Sequence, residues 1–188
     1  HASSVAALME TIGSGAVTAP FTAAEDSDCI IVIGARPTEN HPVAATFLKA
    51  AAKRGAKLIL MDPRGYALTR HADHFLQFKP GTDVALLNAM MHTIVEEGLV
   101  DDQYITGYTE GYDALRDSLA DFTPEKMAEV CNIDADTIGS VARSYATSER
   151  SIIFWGMGIS QSVHGTDNAR CLISLALMTG QVGRPGTG

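Results

Sequence analysis

Several familiar signatures are missing from this 188-residue sequence, and each absence closes off a class of protein. No apolar run approaches the ~20 residues that a membrane-spanning helix needs, and no secretory signal pattern stands at the start. Three cysteines, Cys29, Cys131 and Cys171, cannot make a disulfide framework. All three lie in apolar or helical patterns and read as buried free thiols, which suits a reducing compartment and makes a cytoplasmic location the expectation. Basic residues are scarce: 14 Lys and Arg stand against 22 Asp and Glu, a net charge of −8, so neither nucleic acid nor an anionic membrane is an expected partner. There is no Gly-x-Ser-x-Gly elbow and no phosphate-loop Gly-x-x-x-x-Gly-Lys pattern. His71-x-x-His74 straddles a turn and a strand with no further ligands in reach, so no metal site is expected.

What remains is globular: 46% hydrophobic against 19% charged residues, enough for one domain over residues 1–188 with a single well-buried core. Its organising stretch runs from Asp28 to Arg64. Cys29-Ile-Ile-Val-Ile33 is a continuous apolar run stopped by Gly34, as expected of a strand covered on both faces. Asn40 or His41 can cap a helix with Pro42 in its first turn; Val43, Phe47, Leu48 and Ala51 share one face, and Gly55 stops it. Leu58-Ile-Leu-Met61 is a second buried strand closed by Asp62-Pro63. This is a βαβ unit.

Around it, a first helix passes through Leu8 and Ile12 to the stop at Gly13, and residues 16–27 read as loop with a short turn. After a helical turn at Ala67–His71, residues 73–78 alternate as a weaker third strand, and a helix with 3.6-residue periodicity covers Val84–Glu97. Residues 101–147 read as helical with restarts at Gly111, Thr123-Pro124 and Asp134, and Tyr104, Tyr108, Tyr112 and Phe122 are expected to pack these helices onto the sheet. Residues 151–155 form the fourth strand, Gly156 opens a loop to about His164, and a last helix covers Thr166–Thr179. The fold class is therefore α/β: a Rossmann-like three-layer αβα domain with a mainly parallel sheet of order 3-2-1-4 and a helical insertion before the last strand. The order reverses between strands 1 and 4, so the loops 34–40 and 156–161 should line a crevice at their carboxyl ends.

The residues there suggest what it binds. Gly34, Gly156 and Gly158 let backbone come close to a ligand. Asp62 stands where such folds place a carboxylate against ribose hydroxyls. Asp83 either accepts from a purine donor pair or caps its helix, and Arg36 and Arg64 can answer phosphate or remain solvated. The loop Gly-Ala-Arg-Pro-Thr-Glu-Asn is not the Gly-x-Gly-x-x-Gly turn, which weighs against an ordinary NAD dehydrogenase.

Six motifs, in order along essentially the whole chain, carry a resemblance: His-Ala-Ser-Ser-Val-Ala-Ala-Leu at the start, Gly-Ala-Arg-Pro-Thr-Glu-Asn-His-Pro, Asp-Pro-Arg, Pro-Gly-Thr-Asp, Trp-Gly-Met-Gly-Ile-Ser-Gln, and Leu-Met-Thr-Gly-Gln-Val-Gly-Arg-Pro-Gly-Thr-Gly. The sequence resembles the molybdopterin oxidoreductases, and within them the catalytic subunit of molybdenum- or tungsten-dependent formate dehydrogenases, particularly the cytoplasmic NAD-linked type. The resemblance implies a dinucleotide-binding domain cut from a longer polypeptide and inert alone. Its cofactor would be bis(molybdopterin guanine dinucleotide), with an iron–sulfur cluster elsewhere in the parent chain. It implies formate as substrate, and as partners the other domains of the same polypeptide and NAD-linked electron-transfer subunits. Gly34, Ala35, Arg36, Glu39 and Asn40 would contact phosphates and nucleoside; Asp62, Pro63 and Arg64 would sit at the ribose and guanine; Gly81, Thr82 and Asp83 would read guanine; Met157, Gly158 and Gln161 would approach the pterin. His1 would match the catalytic histidine that follows the metal-ligating residue. Other readings are another molybdopterin reductase, such as a nitrate reductase-like enzyme, a stand-alone NAD- or FAD-binding module, or an α/β domain kept only for packing.

Overall fold

The computed structural model describes residues 2–188, so His1 lies outside the described residues. Four parallel strands, β1 (Cys29–Ile33), β2 (Lys57–Met61), β3 (His74–Leu76) and β4 (Ser151–Trp155), form one sheet in the order β3-β2-β1-β4. The sheet is covered on both faces, giving the expected αβα layering. Side chains alternate across each strand, and that alternation divides the core in two. Ile31, Ile33, Ile59, Met61 and Leu76 point into a larger core. There they meet α1 (Ala2–Ile12), α4 (Asp83–Glu96), α8 (Ala135–Thr147) and α10 (Gly165–Met178). Ile30, Val32, Leu58, Leu60 and Ile152 point the other way, onto Leu48 and Ala51 of α3 (Pro42–Arg54), Ala24 of a 3-10 turn (Phe21–Glu25) and Leu68 of another (Ala67–His71).

Helix boundaries follow local chemistry. Gly55 ends α3 with φ +108°, a conformation that its missing Cβ makes cheap. Asp101, Thr123 and Asp134 each accept a backbone N–H at the start of α5 (Asp102–Tyr108), α7 (Pro124–Cys131) and α8. Five differences from the sequence reading stand out. The third strand is shorter than residues 73–78, because it pairs only with β2 over three residues at the sheet edge. The loop after β4 contains a helical turn, α9 (Met157–Ser160), and α3 is preceded by another, α2 (Pro37–Asn40). Val43 is 73% exposed; the face of α3 that reaches the sheet is rotated onto Ala44, Ala45, Leu48 and Ala51. Tyr108 is 78% exposed, since α5 and α6 (Tyr112–Ser118) lie at the periphery rather than on the sheet.

Cys29 is fully buried in β1, and Cys171 is largely buried on α10. Burial pushes both thiols up to about 12, because the interior disfavours thiolate. Both should resist a thiol-specific disulfide reagent at pH 8 in the native chain and react fully once denatured. Stoichiometric reaction before unfolding would contradict this packing.

Candidate functional site

The site is built where β1, β2 and β4 release their chains. Gly34 continues the sheet by donating its N–H to Met61 O at 3.1 Å, and Gly156 donates to Ile33 O at 3.3 Å. Gly158 then donates to Gly34 O at 2.9 Å, tying the β1 loop to the β4 loop. This contact explains three glycines at once. Gly34 has φ +56°, and a Cβ there would stand 2.8 Å from the Ile159 nitrogen; a Cβ on Gly158 would stand 2.7 Å from the Gly34 Cα. A Cβ on Gly156 would meet Gly34 O at 2.8 Å. Their small size is spent first on bringing the two loops together, and the loops so joined form one wall of a cavity.

That cavity encloses about 400 Å³, the scale of a small-molecule site. From the β1 loop it takes Gly34, Ala35, Arg36, Glu39 and Asn40. Asp62, Pro63 and Arg64 come from the β2 loop, Gly81 and Asp83 from the turn before α4, and Met157 and Gly158 from beyond β4. Segments far apart in sequence thus converge on one cavity. Thr82 and Gln161 are not on the wall. Thr82 folds its hydroxyl back onto Lys79 O at 2.6 Å, and Gln161 closes α9 by donating its N–H to Met157 O at 2.8 Å. Phe78, Pro80 and Ser162 do line it. Pro80 belongs to the Pro-Gly-Thr-Asp motif, whereas no motif marks Phe78 or Ser162; only the path of their loops brings those two in. A second, larger concavity of about 760 Å³ runs between α1, residues 15–21, β4 and α10, and its wall is mostly apolar, with Ser4, Thr18, Asn40, His41 and Ser160 among the exceptions.

Polarity separates the two. Asp83 is 7% exposed, and among the described residues it makes no salt bridge. It sits in the first turn of the 14-residue α4, where the positive helix end tolerates a carboxylate, while Thr82 takes the N-cap position without a side-chain cap bond. Burial pushes the Asp83 carboxyl up, opposed by its own backbone N–H and by His164 nearby. Asp62, also 7% exposed, accepts the Arg64 N–H at 2.8 Å through one oxygen, a turn that Asp favours. Arg36 spans the two loops: one guanidinium nitrogen lies 3.5 Å from Glu39 and another 3.7 Å from Asp62, and its carbon lies 5.7 Å from the centre of the Tyr66 ring.

Buried polar atoms without partners test whether a ligand belongs here. Among the described residues these are Arg36 Nε, Thr38 Oγ1, and the hydroxyls of Tyr66 and Tyr145. Arg36 is on the cavity wall, Thr38 is on the same loop and Tyr66 backs Arg36. Buried polar groups are ordinarily paired, so orphans on and behind a cavity wall that also carries the salt-bridge-free Asp83 mark missing partners. The residues fit a ligand that brings hydrogen-bond donors to Asp62 and Asp83 and acceptors to Arg36.

Fold and cavity together define a doubly wound α/β protein with a polar site at the carboxyl ends of its strands, at the point where strand order reverses. The chain belongs to the molybdopterin oxidoreductase family, whose model matches residues 1–188. Membership implies a molybdopterin cofactor carrying molybdenum or tungsten. The chain is 38% identical to the alpha subunit of the F420-dependent formate dehydrogenase of Methanocaldococcus jannaschii, covering 100% of this chain and 28% of that protein. It is 37% identical to formate dehydrogenase H of Escherichia coli, covering 100% of this chain and 26% of that one. Among solved structures it matches the acetylene hydratase from Pelobacter acetylenicus with a TM-score of 0.88 at 28% identity, over 99% of this chain and 25% of that one. The chain therefore spans about a quarter of the length of these relatives.

Proposed function

We propose that residues 1–188 form one cofactor-binding domain of a formate dehydrogenase catalytic subunit, holding a guanine dinucleotide arm of a bis(molybdopterin guanine dinucleotide) cofactor. The observation that carries the nucleotide half is the buried Asp83 carboxylate on the cavity wall without a cation. Guanine presents two adjacent donors, N1–H and the exocyclic amine, that one carboxylate accepts together; adenine has no such edge. Asp62 has an oxygen left for ribose hydroxyls, while Arg36 and Arg64 supply donors for phosphate. The formate half is supported by the end-to-end similarity to two formate dehydrogenase subunits.

When bound, the cofactor would supply the metal centre at which formate is oxidised to CO2. The described residues anchor the nucleotide end, so that the pterin end is held rigidly and orientation is settled before chemistry. Met157 and Gly158 form the wall toward the pterin. His1 we assign to the histidine that handles the proton or orients formate beside the metal. The remaining walls, an iron–sulfur cluster and any NAD-linked subunits belong to the rest of a longer cytoplasmic enzyme, so this domain alone is expected to be inactive. The apolar concavity beside β4 suits packing against that remainder, with Val5, Val17 and Phe21 exposed around it.

Acid hydrolysis of the purified full-length polypeptide tests the reading directly. GMP should be released, and the intact enzyme should reduce an artificial acceptor with formate. Release of AMP or NAD, or no formate-dependent reduction, would overturn it.

A further inference from the structure

We propose that Tyr66 is a positioning residue that fixes the Arg36 guanidinium as the phosphate-binding arm of the cavity. This rests on the nucleotide reading above and extends it to a residue that neither the motifs nor the cavity wall identify.

Tyr66 stands at the N-terminal end of the 3-10 turn after β2, and its backbone is locked there. Its N–H donates to the Thr69 hydroxyl at 3.2 Å, and its carbonyl accepts the Thr69 N–H at 3.0 Å. The ring packs against the smaller core. It therefore offers Arg36 a fixed face, and the 5.7 Å separation lies within the range of a cation–π contact. The guanidinium is otherwise loosely held. Its contacts of 3.5 Å to Glu39 and 3.7 Å to Asp62 are longer than a normal N–H···O bond, and Nε has no partner. Glu39 is exposed and free to turn to water, whereas Asp62 is already engaged by the Arg64 N–H.

A guanidinium with five donors, no short acceptor and an aromatic backing is set to receive a group with several acceptor oxygens. A phosphate supplies them; a neutral nucleoside does not. The Tyr66 hydroxyl is also buried and unpaired, and burial keeps it protonated, so it stays a donor. Without the ring, the arginine would be free to settle on Asp62 and Glu39 and leave the phosphate position.

Calorimetric titration of the full-length polypeptide, prepared from cells unable to make the cofactor, with GMP, guanosine and AMP provides the test. Wild type should prefer GMP to guanosine. Tyr66→Leu should cut that preference about tenfold, the scale of a partly buried cation–π contact, with guanosine affinity unchanged. Arg36→Gln should cut the preference further, down to what Arg64 alone supplies, and adding Tyr66→Leu to it should change nothing more. Where Tyr66→Leu does not fold, tetrafluorophenylalanine at position 66 keeps the ring shape but weakens its negative face, and should lose preference relative to Tyr66→Phe. Equal weakening of GMP and guanosine, additive losses in the double variant, or no effect of fluorination would overturn the proposal. GMP bound no better than AMP would instead overturn the guanine role of Asp83, since the phosphate comparison does not depend on the base. Absence of any GMP-over-guanosine preference in wild type overturns the arm itself.

Discussion

Asp83→Asn is expected to weaken GMP binding to the cofactor-free full-length polypeptide by roughly a hundredfold or more, while AMP binding changes little. Two hydrogen bonds to a charged acceptor contribute about 1.5–3 kcal/mol each, and the amide replaces one of the two acceptors with a donor that faces the guanine amine. Stability should move the opposite way. Burial raises the Asp83 pKa above its unfolded value, so the folded state binds a proton more tightly than the unfolded one. The ionised carboxylate is therefore a penalty that is absent below the unfolded pKa, grows as pH rises from there through the raised folded pKa, and is fully present above it. Asparagine removes that penalty, so the variant should unfold at the same temperature as wild type or higher at pH 7. In wild type, GMP affinity should fall as pH drops through the raised Asp83 pKa, because the protonated acid accepts poorly. A variant that lost stability and binding together would point to a packing role. GMP affinity in wild type that did not change with pH would remove the carboxylate from recognition.

The second large effect is structural. Gly158→Ala should destabilise the chain by about 3 kcal/mol, the upper end for overpacking, because the new methyl would stand 2.7 Å from the Gly34 Cα and 2.9 Å from Gly34 O. These are backbone atoms at the end of a buried strand, so neither side can give way as a flexible side chain would. At ~2–4 °C per kcal/mol for a chain of this size, the unfolding midpoint should fall by roughly 10 °C. Gly81→Ala is a useful contrast: φ is +82° there but no atom lies within 4 Å of the added carbon, so only the smaller cost of about 1–2 kcal/mol for a left-handed non-glycine residue applies. Equal losses at the two positions would mean that the loops relax around the added methyl, so that their close approach does not demand glycine at 158.

Much of the fold was legible because local pattern and burial agreed. Cys29–Ile33 and Leu58–Met61 are apolar throughout, which only strands covered on both faces require, and the helical restarts carry their own cap residues at Thr123 and Asp134. Where local pattern misled, the missing information was the angle at which an element meets its neighbours. Val43 satisfies the apolar stripe of α3, yet the helix turns Ala44, Ala45 and Leu48 inward. Tyr108 is aromatic, yet its helix lies at the rim. Most residues that line the cavity stand in motifs because they fall in short loops beyond the strands, but nothing local marks Phe78 or Ser162, and Thr82 and Gln161 stand in motifs yet turn away.

By itself the sequence determined the strands, their order and the loops that gather at their carboxyl ends, because hydrophobic periodicity and the handedness of parallel crossovers are local rules. Only the tertiary structure decided that Gly34, Gly156 and Gly158 hold two loops together, that Thr82 and Gln161 turn away from the cavity, and that Tyr66 backs Arg36. Those outcomes depend on close approaches between segments far apart along the chain, and no spacing in a sequence encodes such a distance.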